Sequence, residues 1–268
     1  MPFADIRGLR LYHELKGAGP RVLYISGTGS DLRRKPGVYD VPGIERLSVL
    51  AYDHRGMGQT TLPDTPPALD DYTNDALALI DHVGWDSCAV VGISFGGMIA
   101  QHVAAALGDR LERLVLCCTS PGGAGGASFP LHELSALDAD AFAERLMNLS
   151  DTRRDAAWRS ANPQEAERLT AFYRASARDN RNDPARRKAQ NEQFAARASH
   201  DAWDKLPGIT APTLVCAGRY DEVAPIERSE RMVARLPDAT LRVFEGGHLF
   251  FMEDPKAWPA IQNFLLAG

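Results

Sequence analysis

The amino-acid sequence predicts an α/β fold in which an inserted helical segment interrupts a mostly parallel, doubly wound sheet. In the first half of the chain, short apolar runs alternate with helical patterns, as expected for βαβ units whose sheet is covered on both faces. The alternation stops after Cys118 and resumes at Pro212, and the residues between them show only helical spacing. The length of 268 residues suits one large domain or a core with a smaller insert.

The composition and the net charge exclude several classes of protein. Hydrophobic residues make up 44% of the chain and charged residues 24%, which is ordinary for a soluble globular protein. The formal net charge is -5, whereas domains that bind nucleic acid are typically basic. No apolar run approaches the length of a membrane helix, about 18 residues. Neither a nucleic-acid partner nor a membrane partner is therefore expected.

The N-terminal residues and the cysteines predict the compartment. The chain lacks the basic start, apolar run and cleavage site of a secretory signal peptide. All four cysteines lie in apolar runs, so buried reduced thiols are expected rather than a disulfide framework. These residues are Cys88, Cys117, Cys118 and Cys216. The sequence predicts a cytoplasmic protein.

Five strands and two helices are predicted before the insert. The run over residues 9–15 alternates in polarity and is interpreted as an edge strand. The other strands are continuous apolar runs at residues 22–26, 49–53, 87–93 and 113–118. One helical stripe is closed by Gly84, and a second helix over residues 95–107 stops at Gly108, because glycine commonly follows the end of a helix.

The insert divides the predicted domain in two. It follows a glycine-rich stretch at residues 121–127, which is interpreted as a flexible linker. After the insert the pattern predicts strands at residues 212–218 and 239–244, and helices at residues 226–236 and 254–266. The prediction is a discontinuous core of residues 1–122 and 208–268, with a helical segment of residues 123–207.

Ser94 is the candidate nucleophile. It is the central residue of G-I-S-F-G, which follows an apolar strand and opens a predicted helix. A serine on such a tight turn projects its hydroxyl above the sheet, and small residues two positions before and after it allow the turn. The N-terminus of the helix then directs backbone N–H groups towards any negative charge that forms there.

A serine hydroxyl needs a neighbouring base, and His248 is the candidate. It is the histidine that lies in a short loop after a late strand, in the sequence E-G-G-H. A loop at the carboxyl end of a parallel strand lies at the same edge of the sheet as Ser94. His54, which follows Asp53 at the end of another predicted strand, is a weaker candidate.

A carboxylate should hold the imidazole in one tautomer and stabilise its charged form. Asp221 and its neighbour Glu222 both follow the strand that ends at Gly218. The residue types alone leave this choice open.

Together these motifs resemble the α/β-hydrolase fold family over essentially the whole chain. Ser94, the acid loop and His248 come in that family's order. Residues 53–58 (DHRGMG) resemble its D-x-R-G-x-G segment, residues 218–221 its G-x-x-D acid loop and residues 246–248 its G-x-H base loop. The resemblance favours Asp221 over Glu222, and it implies that the helical segment is the family's cap, or lid.

The resemblance also implies an oxyanion hole. Family members usually carry His-Gly after an early strand, whereas this chain has Ser26 and Gly27. Carried over by position, the two donors would be the backbone N–H groups of Thr28 and Phe95. Because backbone donors tolerate a change of side chain, the hole is expected despite the departure at Ser26.

The function that the resemblance implies is hydrolysis of a carboxylic ester or a lactone through an acyl-enzyme on Ser94. Small esterases, enol-lactonases and methylesterases with a helical cap are the most similar members, whereas dehalogenase-like and epoxide-hydrolase-like members need an aspartate where Ser94 stands. One alternative is a carbon–carbon bond hydrolase acting on a vinylogous diketone acid; another is a ligand receptor with a vestigial triad. A small-molecule substrate is expected, with no metal and no cofactor, and the oligomeric state is left open.

The helical segment is rich in arginine, which allows two interpretations. The arginines could form a positive entrance for an acidic substrate, or they could lie on a solvated face, since acidic residues are interleaved with them. The residues are Arg153, Arg154, Arg159, Arg168, Arg174, Arg178, Arg181, Arg186 and Arg187. The second interpretation is favoured, because mixed charges are typical of an exposed helical face.

Overall fold

The computed structural model describes residues 2–267, except for the side chains of residues 179–181. In this part of the chain an eight-stranded sheet has the order β1-β2-β4-β3-β5-β6-β7-β8. The strands are β1 Phe3–Ile6, β2 Leu9–Lys16, β3 Arg21–Ile25, β4 Ser48–Tyr52, β5 Cys88–Ile93, β6 Leu111–Cys117, β7 Thr213–Gly218 and β8 Ala239–Phe244. The pairs β1–β2 and β2–β4 are antiparallel, and every other neighbouring pair is parallel. The predicted fold class is confirmed.

One sequence interpretation of the sheet is wrong. The strand predicted at residues 9–15 is not at the edge, because β1 pairs with its outer side through residues 3–6. That four-residue strand is too short and too mixed in polarity to give a periodic signal. By contrast, β5 and β7 are buried along their whole length, which explains why their apolar runs were recognisable.

Helices cover both faces of the sheet. Their bounds are α1 Leu69–His82, α2 Phe95–Leu107, α3 Ala139–Ser150, α4 Ala156–Ala161, α5 Pro163–Asn182, α6 Pro184–Ala198, α7 Ile226–Arg235, α8 Phe250–Glu253 and α9 Ala257–Leu266. Apolar side chains of α1, α2 and α7 pack on one face, and those of α8 and α9 pack on the other. Among the described residues no helix combines the length and the apolar character needed to cross a bilayer.

Helices α3 to α6 form the segment between β6 and β7. Their apolar side chains form a separate cluster that includes Phe142, Met147, Tyr173 and Phe194, and that also takes in Val223 from the loop after β7. The helical content of this segment agrees with the sequence pattern. The domain limits at residues 122 and 208 stay a prediction.

The glycine-rich stretch before the helices is a packed turn rather than a flexible linker. Gly122 forms isolated β-bridges with Gly126 and with Asp201. An ideal Cβ on Gly122 would lie 2.0 Å from the carbonyl oxygen of His200. The glycines are needed here because the chain leaving the core passes directly against the chain returning to it.

A buried ion pair joins α1 to the loop after β4. The Arg55 guanidinium donates two hydrogen bonds of 2.8 Å to the Asp75 carboxylate, and both side chains are buried. Arg7 adds a third hydrogen bond of 3.2 Å. We expect Asp75→Asn to lower the free energy of unfolding by about 3 kcal/mol, because the buried Arg55 guanidinium loses its hydrogen-bonded carboxylate and keeps as counter-charge the more exposed Asp71, 3.9 Å away.

Denaturant unfolding tests this prediction, with Asp81→Asn on the same helix as the control. Asp81 pairs with Arg110 at 2.7 Å, but both side chains are exposed, so its loss should cost no more than about 1 kcal/mol. Equal stability of the two variants would contradict the prediction.

Two buried histidines join α2 to the end of α6. His102 Nε2 lies 3.2 Å from His200 Nδ1, and His200 Nε2 lies 2.9 Å from the carbonyl oxygen of Ser120. Since a carbonyl only accepts, His200 carries its proton on Nε2 and accepts at Nδ1 from His102. Burial lowers the pKa of His102 to about 4 and that of His200 to about 3, so both rings are neutral.

This pair should make the protein acid-labile. Because the folded-state pKa values lie below those of the unfolded chain, the unfolded state binds more protons from about pH 6.5 downwards. The free energy of unfolding should therefore fall by about 3 kcal/mol for His102 alone as the pH decreases from about 6.5 to 4. Denaturant unfolding across this range should show a smaller fall in His102→Gln than in the wild type. Identical pH dependence in His102→Gln and the wild type would contradict it.

Candidate active site

The candidate site lies where the strand order reverses. From β3 the chain crosses to β4 on one side and then to β5 on the other, so the loops after β3 and β5 diverge from a common crevice. Such crevices at the carboxyl ends of parallel strands are where open α/β sheets bind ligands. Ser94 follows β5, and residues 26–30 follow β3.

Ser94 occupies a strained turn between β5 and α2. Its backbone has φ 54° and ψ -115°, a conformation that non-glycine residues rarely adopt. The flanking glycines are required by close approach: an ideal Cβ on Gly92 would lie 2.5 Å from the Gly96 carbonyl oxygen, and one on Gly96 would lie 2.1 Å from that of Ile25. The G-x-S-x-G spacing is thus explained by packing at each glycine.

The three residues singled out in sequence meet at this turn. His248 Nε2 lies 2.9 Å from Ser94 Oγ, and His248 Nδ1 lies 2.7 Å from Asp221 Oδ2. The carboxylate sets the tautomer, because it accepts from a protonated Nδ1 and leaves Nε2 free to accept the serine proton. This arrangement can generate a serine alkoxide equivalent and hold the resulting imidazolium beside a carboxylate.

Asp221, and not Glu222, contacts the imidazole. The Asp221 side chain is buried, and its second oxygen, Oδ1, accepts from the backbone N–H groups of Val223 at 2.8 Å and Ala224 at 2.9 Å. Glu222 is exposed. Both oxygens of the Asp221 carboxylate therefore accept hydrogen bonds, Oδ1 from the loop backbone and Oδ2 from His248. The adjacent Glu222 side chain faces solvent.

The two residues assigned by position to an oxyanion hole lie on the segments beside Ser94. Phe95 is the first residue of α2, so its N–H has no acceptor within the helix. Thr28 follows Gly27, and an ideal Cβ on Gly27 would lie 3.6 Å from the Ser94 Cβ. The loop after β3 therefore lies against the serine, and the donor roles of Thr28 and Phe95 stay a prediction.

The loop after β3 is held by His54 and Gln193, and the sequence analysis predicted neither contact. His54 is buried, and its Nε2 donates to the Ser26 carbonyl oxygen at 2.9 Å; burial lowers its pKa. Among the described residues no hydrogen bond joins His54 to Ser94, so the geometry favours His248 over His54 as the candidate base. On the other side, the Gly29 N–H donates to Gln193 Oε1 of α6 at 2.8 Å. A single glutamine in a distant helix carries no sequence signal for such a contact.

The arginines of the helical segment are mostly engaged with nearby acids. Described pairs join Arg153 to Asp151, Arg154 to Glu253, Arg159 to Glu144, Arg168 to Glu165, Arg178 to Asp140 and Arg186 to Asp31. The side chain of Arg181 lies outside the described residues. These pairs balance most of the positive charge of the segment, as the second interpretation expects, but Arg154 is buried rather than solvated.

A comparison with known proteins agrees with this fold. The family model described as the alpha/beta hydrolase fold matches residues 28–255. The chain therefore belongs to the α/β-hydrolase fold family, and it is an enzyme of this family of hydrolases.

Individual relatives are similar along most of the chain. A putative carbamate hydrolase RutD from a Caulobacter species is 30% identical, with 95% of each chain covered. The 3-oxoadipate enol-lactonase 2 of Acinetobacter baylyi is 27% identical over 80% of this chain and 76% of its own. The crystal structure of the enol-lactonase from Burkholderia xenovorans superposes with a TM-score of 0.80 at 23% identity, covering 100% of both chains; at this identity the likeness concerns the fold alone.

Proposed function

We propose that this enzyme hydrolyses a carboxylic ester or a lactone through an acyl-enzyme on Ser94. The observation that carries the proposal is the pair of hydrogen bonds that links Ser94 to His248 and His248 to Asp221, at 2.9 Å and 2.7 Å. The names of the relatives, an enol-lactonase and a putative carbamate hydrolase, support attack on an acyl carbon.

The proposed cycle uses this chain's own groups at each step. His248 Nε2 takes the Ser94 proton while Oγ attacks the carbonyl carbon, and the Thr28 and Phe95 N–H groups donate to the oxyanion. The protonated His248 then gives its proton to the leaving alcohol oxygen, and the acyl-enzyme remains. Water, deprotonated by the same histidine, releases the acid and regenerates Ser94. Asp221 holds the imidazole in one orientation throughout and stabilises the imidazolium each time it forms.

We further propose that residues 123–207 act as the cap over Ser94. The contact of Gln193 with the loop after β3 supports this role. We also propose a cytoplasmic location, which the four buried free thiols support.

The test is steady-state hydrolysis of short and medium p-nitrophenyl esters and small lactones, with a dienoic diketone acid in parallel. Turnover of esters or lactones that exceeds turnover of the diketone acid is expected. A strong preference for the diketone acid would favour the carbon–carbon bond hydrolase, and saturable binding of a ligand with negligible turnover would favour a receptor.

A further inference from the structure

The loops that carry Asp221 and His248 are held by one short piece of the helical segment. Residues 149–154, which we call the α3–α4 junction, run from the end of α3 towards α4. Three backbone hydrogen bonds join the junction to the two loops. They are Glu222 N–H to Leu149 O at 2.9 Å, His248 N–H to Ser150 O at 2.6 Å, and Thr152 N–H to Tyr220 O at 3.0 Å.

These three hydrogen bonds are made by the neighbours of Asp221 and by His248. Two of them flank Asp221 on either side, and the third is made by His248 itself. The approach is so close that an ideal Cβ on Gly247 would lie 1.7 Å from the Ser150 carbonyl oxygen. Gly247 is therefore required by the junction, and the glycine-rich loop depends on an outside partner for its conformation.

Charged side chains attach the junction to both loops. The Arg153 guanidinium donates to the buried Asp151 carboxylate at 2.6 Å and lies 4.2 Å from the centre of the Tyr220 ring. Arg154, which is also buried, donates to Glu253 Oε1 at 2.5 Å. Glu253 thus pairs with the junction from α8, on the far side of the His248 loop.

Glu253 also contacts that loop directly. Its second oxygen, Oε2, accepts from the Gly247 N–H at 3.3 Å. One carboxylate therefore joins Arg154 of the junction to the residue that precedes His248. Its side chain is 22% exposed, and Arg154 also lies 3.7 Å from Asp151, so replacing Glu253 does not leave the buried guanidinium without a counter-charge.

We propose that the α3–α4 junction positions His248 and Asp221 for the reaction, and that Glu253 is the positioning residue that anchors it; this rests on the proposed function. The helical segment is then part of the frame of the site as well as its cover. Swinging the junction away from the core would break the bond to the His248 backbone. Access for the substrate is therefore expected elsewhere along the cap.

The test compares Glu253→Ala, Glu253→Gln and the control Glu245→Ala. Glu245 lies three residues before His248; its carboxylate pairs with Arg219, both side chains are exposed, and among the described residues it contacts Tyr220 but not Arg154 or Gly247. We expect Glu253→Ala to lower kcat by about 10- to 100-fold, since small displacements of catalytic groups have effects of this size. The KM should stay within about twofold, because substrate contacts are unchanged. Glu253→Gln has a single oxygen acceptor, so it can keep the hydrogen bond to Gly247 or the one to Arg154 but not both, and it should recover the kcat only in part.

Hydrogen exchange measured by mass spectrometry provides a readout that does not depend on turnover. Faster exchange of the peptides containing residues 149–152 and 246–249 in Glu253→Ala, together with the lower kcat, is expected. A kcat equal to that of Glu245→Ala, or a lower kcat without faster exchange in either peptide, would overturn the proposal. Failure of the proposed function would appear differently, as turnover that survives Ser94→Ala in otherwise wild-type protein.

Discussion

Replacing Ser94 with alanine is expected to lower kcat for ester or lactone hydrolysis by about 10⁶, the size of loss seen when the nucleophile of other serine hydrolases is removed. The reason is chemical: without Oγ no acyl-enzyme forms, and His248 has no hydroxyl to deprotonate. Substrate binding should persist, because the backbone of the turn is set by Gly92, Gly96 and the β5–α2 packing rather than by the hydroxyl.

The measurement is steady-state turnover of the best ester or lactone in the panel, with binding followed separately. Ser120→Ala is the matched control, because Ser120 is a buried serine whose hydroxyl has no hydrogen-bond partner among the described residues. The control should keep wild-type turnover within about twofold. If Ser94→Ala protein turned over substrate at a rate close to that of the control, Ser94 would not be the nucleophile.

The second large effect is expected for Asp221→Asn, with a loss in kcat of about 10⁴. The substitution preserves size but reverses the hydrogen bond to His248. An amide nitrogen facing Nδ1 favours the tautomer with its proton on Nε2, and that nitrogen then cannot accept the Ser94 proton. The amide oxygen of asparagine can still accept hydrogen bonds from the backbone N–H groups of Val223 and Ala224, as Oδ1 does in the wild type. The loop should therefore keep its conformation.

Glu222→Gln is the control for this substitution. It makes the same chemical change one residue away, on an exposed side chain, and should leave kcat within about twofold of the wild type. Melting temperatures of both variants establish that the loop remains folded. Comparable losses in the two variants would show that Asp221 has no special part in the reaction, and a loss confined to Glu222→Gln would transfer the role to the neighbour.

The architecture and the turn that carries Ser94 could both be predicted from the sequence. The alternation of apolar runs and helical patterns predicts a parallel sheet because each strand and helix is recognisable from residues close in sequence. The helix predicted at residues 95–107 and the strand predicted at residues 239–244 agree with α2 and β8 at both ends. The spacing of glycines around Ser94 is equally local, because the turn is closed by residues two positions away.

The residue types alone left the choice between Asp221 and Glu222 open, and the contacts that hold the site together come from residues far apart in the chain. Asp221 and Glu222 are adjacent and chemically alike, and the backbone N–H groups of Val223 and Ala224 orient one of them inwards. The contacts of Gln193 with Gly29 and of Arg154 with Glu253 join residues separated by 164 and 99 positions. Such contacts leave no periodic pattern in the sequence, because they depend on where the chain returns in space and not on the residues beside them.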